Sequence, residues 1–594
     1  MATRCVPKRS AKSVAIRVIH GNDLNDSDDD VYNLNSESEG SNESSEEENE
    51  EQTDTENEQQ RRAPNIFVFP QQSHDNHPEY SIIDGWSVAH LDIDRRPMPL
   101  PIFTDREGLL IPMPRRPVEF IFSFITDGFC DTLANWANNK ASLNPTLRDK
   151  YNKKGNRSHQ KQWEDITRHE MKQFIGMVFC MGLIKKPQMQ DYFSTNYIIE
   201  TPFFRRSDNL SRDRFMYILK YLRFYDCATH DIQNHGKLGK VNPGMKMIID
   251  IVKTIYRPGR KISLDEYLML YKGRLHLKQY IKTKRARFGV KAFSLNAKNG
   301  FTYDVEIYQG SHGVTSWADG IPDAENLTSS ERIVVELVNR CGFLQTGRMV
   351  TVDNWFCSLR LANFLDENQT LLQGTIRSNR GPPRELVNFQ MNPIDVEFAR
   401  KGNVLIAKFV DKRTVYLLST SHDAETVEKT RRVNQNQTRN FHKPSVIESY
   451  NYDMDGTDKV DAMQQAINCA RKSYVWHKKV GLFNLQRLCL VNAFILSREF
   501  FPDVMKHVTL AQYCLWVIQE LVYGQPQQPQ VQRQRQIHRL QKFTATGRNP
   551  RPTKPCCQCK KVRVAGRVSE SRYFCAECPG RPAIHMDCFE AWHT

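Results

Sequence analysis

Three short stretches of the chain place acidic residues where an apolar element meets a polar turn or a helix start. They are 262–266 with Asp265, 350–356 with Asp353, and the stretch that runs from Asp458 to Asp461. Phosphodiester cleavage needs an activated water or 3′-hydroxyl and a stabilised leaving oxygen, which two metal ions about 3.5–4 Å apart supply. Mg²⁺ prefers carboxylate oxygens, so three or four Asp or Glu side chains on rigid elements suffice. The pattern predicts a carboxylate cage for two Mg²⁺ or Mn²⁺ ions.

The same aspartates have a purely structural alternative. A carboxylate at the end of a strand is often a turn or cap residue. Asp458 could be a helix N-cap, with Asp461 adding favourable negative charge to the first helical turn. Because Asp461 follows Asp458 by three residues, both carboxylates share one face if the segment is helical. Spacing alone leaves the two interpretations open.

The C-terminal tail carries a second set of metal-ligand types. Its spacing is Cys556-x2-Cys559-x15-Cys575-x2-Cys578-x6-His585-x2-Cys588-x4-His593. Thiolates and imidazoles at such intervals predict one or two structural Zn²⁺ ions, and so short a segment needs metal to fold. A two-zinc cross-brace takes eight ligands, so Cys557, Asp587 or the terminal carboxylate would be the eighth. A RING-like ligase or a histone-reading finger has similar spacing, but neither explains the aspartates.

The charge is distributed unevenly along the 594 residues. Residues 23–60 hold sixteen acidic residues and no Lys or Arg, which predicts a disordered acidic head. Residues 61–594 hold 78 basic and 52 acidic residues, a net charge of +26. Such an excess suits a polyanion such as DNA, although a generic basic surface is an alternative. No apolar run predicts a membrane span, and no signal peptide is visible.

The periodicity of apolar residues changes at about residue 261. Before it, the spacing predicts helices; after it, strands and helices alternate. The predicted elements are helices at 167–183 (with a Thr167-x-x-Glu170 capping box), 212–224, 330–340, 358–366 and 461–500, and strands at 262–271, 290–295, 301–308, 349–353, 370–377, 404–410 and 415–419. The order from 262 to 377 predicts an α/β core of the ribonuclease-H type. A polar, basic loop with Lys429, Arg431, Arg432 and Arg439 belongs to a predicted insertion, and it either contacts DNA or is a solvated surface loop.

Several motifs in order closely resemble the piggyBac transposase family. They are Tyr256-Arg-Pro-Gly-Arg-Lys-Ile-Ser-Leu-Asp265-Glu, Tyr271-Lys-Gly-Arg274, Val352-Asp353-Asn-Trp-Phe356, Gly374-Thr-Ile-Arg-Ser-Asn379 and Tyr450-Asn-Tyr-Asp-Met-Asp-Gly-Thr-Asp458-Lys-Val-Asp461. The resemblance extends from about residue 115 to the C-terminus. It implies Asp265, Asp353 and Asp458 as the catalytic, metal-binding triad, and Asp461 as an additional metal ligand.

The resemblance also implies the residues that contact DNA and the division into domains. Trp476 resembles an aromatic that acts on flipped or distorted bases, although a place in a helix core is an alternative. The residues expected to contact DNA are Trp476, Arg377, Lys272, Arg274, Arg563 and Arg567. The predicted segments are a disordered head (1–64), a Pro-rich linker (65–114), a helical dimerisation and DNA-binding domain split between 115–260 and 468–535, a catalytic core split between 261–378 and 441–467, an insertion (379–440), a basic linker (536–552) and a zinc domain (553–594).

The implied function is cut-and-paste DNA transposition in the nucleus by a homodimer. The resemblance implies strand nicking at the terminal inverted repeats, hairpin formation and strand transfer into TTAA targets. Two departures weaken the match: Asp455-Gly456-Thr457 replaces the usual Gly-Gly-Val, and Ala462 replaces Gln. An extra carboxylate at Asp455 could compete for metal or repel phosphate. The alternative is a domesticated, transposase-derived protein that binds DNA or chromatin and no longer transposes.

Overall fold

The computed structural model describes most of the chain after residue 83. The described residues are 84–143, 164–229, 236, 238–281, 287–310, 318, 320–434, 437–470, 475–524, 540–545, 551–562, 569–576, 578 and 580–593. The predicted acidic head at 1–64 and most of the predicted basic linker at 536–552 lie outside them.

A ten-stranded mixed sheet forms the centre of the described chain. Its strands are β1 (Ser87–Val88), β4 (Lys261–Leu270), β5 (Lys278–Tyr280), β6 (Phe288–Ala297), β7 (Thr302–Ile307), β8 (Met349–Val352), β9 (Leu371–Thr375), β10 (Val396–Lys401), β11 (Val404–Val410) and β12 (Thr414–Ser419). Two-stranded pairs are formed by β2 (Gly108–Leu109) with β3 (Tyr256–Arg257), β13 (Thr426–Asn434) with β14 (Gln437–Pro444), β15 (Leu540–Lys542) with β18 (Tyr573–Cys575), and β16 (Lys554–Pro555) with β17 (Glu570–Ser571).

The helices lie before, between and after the strands of this sheet. They are α1 (Phe120–Phe124), α2 (Asp127–Ser142), α3 (Arg168–Leu183), α4 (Pro202–Arg205), α5 (Arg212–Tyr221), α6 (Asn242–Ile255), α7 (Ser329–Arg340), α8 (Leu359–Glu367), α9 (Arg384–Asn388), α10 (Ser445–Ala466), α11 (Trp476–Phe500), α12 (Pro502–Met505), α13 (Leu510–Tyr523), α14 (Cys557–Val562) and α15 (Phe589–His593). The predicted capping box of α3 is present, with Thr167 and Glu170 each bonded to the other's backbone amide.

The five strands β7, β6, β4, β8 and β9 are adjacent in that order. β4 and β7 are antiparallel to β6, whereas β8 is parallel to β4 and β9 is parallel to β8. The β6–β7 turn uses Gly300 at a φ of 94°, a conformation that favours glycine. This mixed order is the one predicted for 262–377, and it is consistent with a ribonuclease-H-like core.

The predicted insertion continues the sheet of the core. β12 pairs with β9, and β11 and β10 follow outward, so β9 is no longer an edge strand. The predicted basic loop that contains Lys429, Arg431, Arg432 and Arg439 is instead the hairpin β13–β14. Alternating residues such as Val427 and Phe441 suit a strand, but the many charges in the segment obscured this pattern.

Residues 84–114 pack on the core, whereas the sequence predicted a linker over 65–114. β1 pairs with β10, and Trp86 is buried. The carboxylate of Asp105 lies 2.6 Å from the guanidinium of the fully buried Arg348, and Arg96 pairs with Asp366 at 2.7 Å. The Pro-rich composition predicted a linker, because composition alone does not show these long-range ion pairs.

Helices from the two separated helical segments pack against each other. α3 contacts α13, where the Gln173 amide donates to the backbone oxygen of Val522, and α11 packs in the same apolar cluster. α11 is long and apolar enough to cross a membrane by length and composition, yet 94% of its most apolar window is buried inside the protein. Such burial is typical of the central helix of a packed core.

Candidate active site and zinc centre

Asp265 and Asp353 lie side by side on adjacent parallel strands. Leu264 within β4 is in register with Val352, the last residue of β8. The residues that follow them, Asp265 and Asp353, therefore lie at the same level of the sheet. Neighbouring strands are about 4.8 Å apart, and equivalent positions of a parallel pair point to the same face of the sheet. The register therefore brings together two carboxylates that are far apart in the sequence.

The Asp353 carboxyl sits in a partly buried turn. Its Oδ1 accepts a hydrogen bond from the amide of Trp355 at 2.9 Å, which fixes the side chain at the end of β8. Burial raises the pKa of this carboxyl, and the negative charge of Glu266 raises it further, whereas the amides of Trp355 and Phe356 and the Lys291 ammonium lower it. A carboxylate made unfavourable by burial and by a second acid is one that a divalent cation would stabilise.

The helix α10 lies over a polar strip of the sheet. The Gln373 amide of β9 donates to Thr351 Oγ1 at 2.9 Å and to Asp453 Oδ2 at 2.7 Å, and Lys261 of β4 pairs with Asp453 at 2.9 Å. Farther along α10, Thr457 Oγ1 accepts from the Asn296 amide at 2.8 Å. These buried bonds fix how α10 crosses β9, β8, β4 and β6.

One flank of α10 faces Asp265 and Asp353. Burial raises the pKa of Tyr450 to about 12, and the charges of Asp353 and Asp265 contribute to the rise, so this phenol lies within electrostatic reach of both carboxylates. Asp461 lies on the same flank about three turns later, because residues eleven apart in a helix are separated by roughly 20° around its axis. This flank therefore carries Asp461, the additional carboxylate that the family resemblance implied, whereas Asp458 lies about 80° from Tyr450 around the helix axis.

Asp458 lies in the middle of α10, not at a helix start. The helix begins at Ser445, so the structure excludes an N-cap role for Asp458. Asp458 is exposed, whereas Asp461, about 60° away around the axis, is half-buried. Residues 448–459 are mostly polar and show no helical spacing of apolar residues. The helix start was therefore predicted at Asp458 instead of Ser445.

The three aspartates Asp265, Asp353 and Asp458 (the aspartate site) do not meet at one point. A single octahedral ion would hold all ligand oxygens within about 4.2 Å of one another. Among the described residues, the only group of His, Cys, Asp or Glu whose ligand atoms all lie within 4.8 Å is in the tail. Oxygens that bind different ions of a two-metal pair can be roughly 8 Å apart. The geometry thus excludes one ion shared by all three residues as they stand, and the two-ion site stays a prediction.

That group in the tail is Cys556, Cys559, His585 and Cys588 (the zinc group). Cys559 Sγ lies 3.6 Å from Cys588 Sγ and 3.5 Å from His585 Nδ1, and Cys588 Sγ lies 4.0 Å from the same nitrogen. Tetrahedral zinc with these ligand types requires separations of about 3.5–3.8 Å. The residues therefore fit a Zn²⁺ ion closely.

Hydrogen bonds from neighbouring groups favour the metal-binding forms of His585 and Cys556. His585 Nε2 lies 3.2 Å from the Glu570 carbonyl oxygen, so Nε2–H can donate there and leave the Nδ1 lone pair for a cation. Burial raises the pKa of Cys556, but hydrogen bonds from backbone amides outweigh it and bring the pKa to about 7. A thiol with that pKa is substantially ionised near neutral pH, as a zinc ligand must be.

The other predicted zinc ligands are placed only in part. Cys575 is buried at the end of β18 and Cys578 is half-buried, and neither belongs to the zinc group. The side chain of His593 lies outside the described residues. Cys556 and Cys559, the first ligand pair along the chain, therefore lie with His585 and Cys588, the third pair, as a cross-brace requires. A second zinc site remains a prediction.

The sequence and fold match known proteins. A family model described as Transposase IS4 matches residues 116–494, more than half of the chain. The human PiggyBac transposable element-derived protein 3 is 23% identical over 438 residues, which are 72% of this chain and 70% of that protein. The chain belongs to the piggyBac transposase family.

Two further relatives support the family and the fold. The human PiggyBac transposable element-derived protein 2 is 23% identical over 308 residues, half of this chain and half of that protein. A solved structure of a piggyBac transposase synaptic complex with hairpin DNA superposes with a TM-score of 0.56 and 22% identity, covering 72% of this chain and 86% of that one. At this identity the superposition shows a shared fold.

Two of the predicted DNA contacts of this piggyBac family member lie beside the aspartates. The Nε of Arg377, an exposed residue, is 3.3 Å from Asn354 Oδ1, directly after Asp353. Lys272 lines a cavity of about 630 Å³, together with Asp461 and the cations Lys185 and Arg287. Sequence reasoning missed Lys185 and Arg287 because neither belongs to a family motif.

The structure places two of the remaining predicted DNA contacts, Arg274 and Trp476. Arg274 is exposed, whereas Trp476 is half-buried in the first turn of α11, where its ring meets His477 edge-on at 5.9 Å. Trp476 also packs against the apolar core, so its place in a helix core and a role in base contact both stay possible interpretations. Arg563 and Arg567 lie outside the described residues.

The two departures from the piggyBac pattern lie on α10. Asp455 is exposed and pairs with Lys459 one turn later. A Cβ at Gly456 would lie 3.0 Å from the Ala297 backbone oxygen, so this glycine lets α10 approach the β6–β7 turn closely. The Asp455 carboxylate thus has a local partner in Lys459, although an exposed pair of this kind is weak.

Proposed function

We propose that this protein is a DNA transposase that cuts and rejoins double-stranded DNA at the aspartate site. The observation that carries the proposal is the in-register position of Asp265, within β4, and Asp353, directly after β8, beneath the helix that bears Asp458. Membership of the piggyBac transposase family supports the reaction class, and the net positive charge of residues 61–594 suits a DNA substrate.

Asp265, Asp353 and Asp458 would hold two Mg²⁺ or Mn²⁺ ions. When bound, such ions activate an attacking oxygen and stabilise the leaving oxygen of a phosphodiester. Arg377, whose Nε lies 3.3 Å from Asn354 Oδ1, would bind a neighbouring phosphate, and Lys272 and Arg274, which follow the end of β4, would bind others. Their charge would hold the DNA backbone in line for attack.

The reaction proposed has two kinds of step that differ in the attacking oxygen. Water first hydrolyses a phosphodiester at the transposon end and leaves a 3′-hydroxyl. This 3′-hydroxyl then attacks the opposite strand, forming a hairpin as one P–O bond forms and another breaks. Opening of the hairpin and strand transfer into TTAA would follow, and the TA step of that target is easily deformed.

The zinc group would fold the tail so that its basic loop reaches the transposon end. A homodimer in the nucleus would pair the two ends. The relatives are named as transposable element-derived proteins, and the three aspartates do not converge on one point. These observations favour, as a second candidate, a domesticated DNA-binding protein without strand cleavage.

A cleavage assay separates the two candidates. Zinc-loaded protein with Mg²⁺ or Mn²⁺ would be incubated with a duplex that carries the repeats and TTAA bordering its own gene. Nicked strands and a hairpin on a denaturing gel are expected. Tight binding to this duplex with intact strands in both metals would contradict the transposase and favour the domesticated binder.

A further inference from the structure

An arginine is buried in an irregular part of the central helix. Within α11, the residues from Gln486 to Val491 form a π-helical segment, and Arg487 in this segment has no exposed surface. Such segments are rare and are frequently found at functional sites. A fully buried guanidinium also needs a counter-ion and hydrogen-bond acceptors.

The contacts of Arg487 link three elements of the candidate site. Its Nη1 donates to Asp461 Oδ1 at 2.6 Å, and Nη2 lies 3.4 Å from Ser294 Oγ. The guanidinium carbon lies 4.2 Å from the ring centre of Tyr267. Ser294 is the β6 residue paired with Asp265, so Arg487 connects α10 to the strand beside the first predicted metal ligand.

The pairing has a consequence for the role of Asp461. Asp461 is the only carboxylate within ion-pair distance of Arg487 among the described residues. If this carboxylate turned to a metal ion, the guanidinium would remain buried without a counter-charge, which is strongly unfavourable. A carboxylate already neutralised by a buried arginine also attracts a cation less strongly than an unpaired one.

We propose that Arg487 and Asp461 form a positioning pair, and that Asp461 is not a metal ligand in this chain. The pair anchors the flank of α10 to β6, and so fixes where Asp458, one turn earlier, stands relative to Asp265. This proposal rests on the proposed function, because it assigns metal binding to Asp265, Asp353 and Asp458. It departs from the role that the family resemblance implied for Asp461.

The first test measures metal binding in the absence of DNA. Electron paramagnetic resonance would follow Mn²⁺ binding to the zinc-loaded full chain and to its Asp353→Asn, Asp461→Asn and Asp455→Asn variants. Asparagine at 461 keeps an acceptor for Arg487 but removes the counter-charge, so this variant is compared below its own melting temperature, after circular dichroism has checked its fold. Asp353→Asn should weaken Mn²⁺ binding by roughly tenfold or more, whereas Asp461→Asn should stay within about threefold of wild type. Asp455→Asn, which breaks only an exposed pair on the same helix, is the matched control.

The second test removes the whole pair. Either Asp461→Leu or Arg487→Met alone should lower the melting temperature, and the double variant should recover most of the loss, because no uncompensated charge stays buried. If the pair positions Asp458, the double variant should bind Mn²⁺ with an altered resonance line shape. Its cleavage should show a kcat lower by roughly tenfold with KM unchanged.

The outcomes are distinct for the pair and for the transposase function. Loss of Mn²⁺ affinity in Asp461→Asn equal to that in Asp353→Asn would overturn the proposal. A double variant with wild-type line shape and wild-type kcat would make the pair purely structural, and would also overturn it. If wild type binds no Mn²⁺ at the aspartates, the proposed function fails, and additive melting losses in the two single variants would then refute the pair as well.

Discussion

The zinc group draws its four ligands from residues 556–588, whereas the aspartate site draws its three from residues 265–458. The zinc ligands already stand at the separations that a tetrahedral ion requires. Asp265 lies within a strand, Asp353 directly after one and Asp458 on a helix, and the three do not close around one ion. One site is closed and local, and the other is open and assembled from distant segments.

The difference follows from what each region uses to fold. So short a tail has little core of its own, so a bound metal would supply much of its folding free energy, and this requires ligands that are close together. The aspartate site lies on a large sheet with its own apolar core, which folds without a metal. Its carboxylates are therefore free to be arranged for chemistry, at some cost in stability.

The largest expected effect is the loss of DNA strand cleavage when Asp265 or Asp353 is removed. Asp353→Ala or Asp265→Ala should lower the cleavage rate by roughly 10³-fold or more, because metal-assisted catalysis supplies several kcal/mol. Gel assays in Mg²⁺ would measure the rate, and circular dichroism would check the fold. The exposed Asp503→Ala is the matched control and should cleave normally. Cleavage within tenfold of wild type in Asp353→Ala would remove this residue from catalysis.

Removal of one zinc ligand should weaken DNA binding but leave the stability of the main body nearly unchanged. Cys559→Ser should lose a zinc ion by atomic spectroscopy and weaken transposon-end binding by roughly tenfold or more, because the tail no longer folds. The melting temperature of the main body should stay within about 2 °C. Cys227→Ser, the same substitution in the main body, should retain all the zinc. Unchanged zinc content in Cys559→Ser would show that the zinc group does not bind the ion.

The contrast between the two sites also explains what the sequence revealed. The order of β4, β6, β7, β8 and β9 followed from apolar periodicity and turn residues, since these are local signals. The zinc group followed from spacing, because its ligands are close in the sequence. Both apolar periodicity and ligand spacing can be read from the sequence without knowing which distant residues are in contact.

Polar contacts between residues far apart in the chain could not be predicted from the sequence. Asp453, bonded to Gln373 and Lys261, fixes α10 on the sheet, yet nothing near residue 453 indicates these partners. Arg487 lies in an apolar helix whose pattern predicts an ordinary core, and its pairing with Asp461 joins segments of different periodicity. Such contacts depend on how elements cross, which periodicity does not encode.

A smaller effect concerns phosphate binding beside the aspartate site. Arg377→Gln should weaken DNA binding by roughly fivefold and lower the slope of log K against log salt by about one, because one phosphate contact is lost. Binding would be measured by fluorescence anisotropy over a range of salt. Arg384→Gln, a change of the same kind on the exposed surface of α9, should leave the slope unchanged. An equal slope in Arg377→Gln and wild type would place Arg377 away from the DNA.

The smallest expected effect tests whether the aspartate site is strained without metal. Burial, followed by the charge of Glu266, raises the pKa of Asp353 in the folded protein. Ionisation of this carboxyl therefore costs the folded state more than the unfolded state. The penalty is absent below about pH 4, where the unfolded carboxyl is protonated, and is fully present above the folded pKa.

Replacing Asp353 by Asn should therefore stabilise the metal-free protein at pH 7, by on the order of 1–2 °C in melting temperature. The gain should disappear as the pH falls toward 4, and it should reverse when Mg²⁺ is added, because the cation stabilises only the wild-type site. Calorimetric scans at both pH values, with and without Mg²⁺, would measure it. The zinc group should behave in the opposite way, since Cys559→Ser is expected to destabilise the tail under every condition. A lower melting temperature for Asp353→Asn at pH 7 without metal would mean that the carboxylate stabilises the fold, and the two sites would then not differ in this respect.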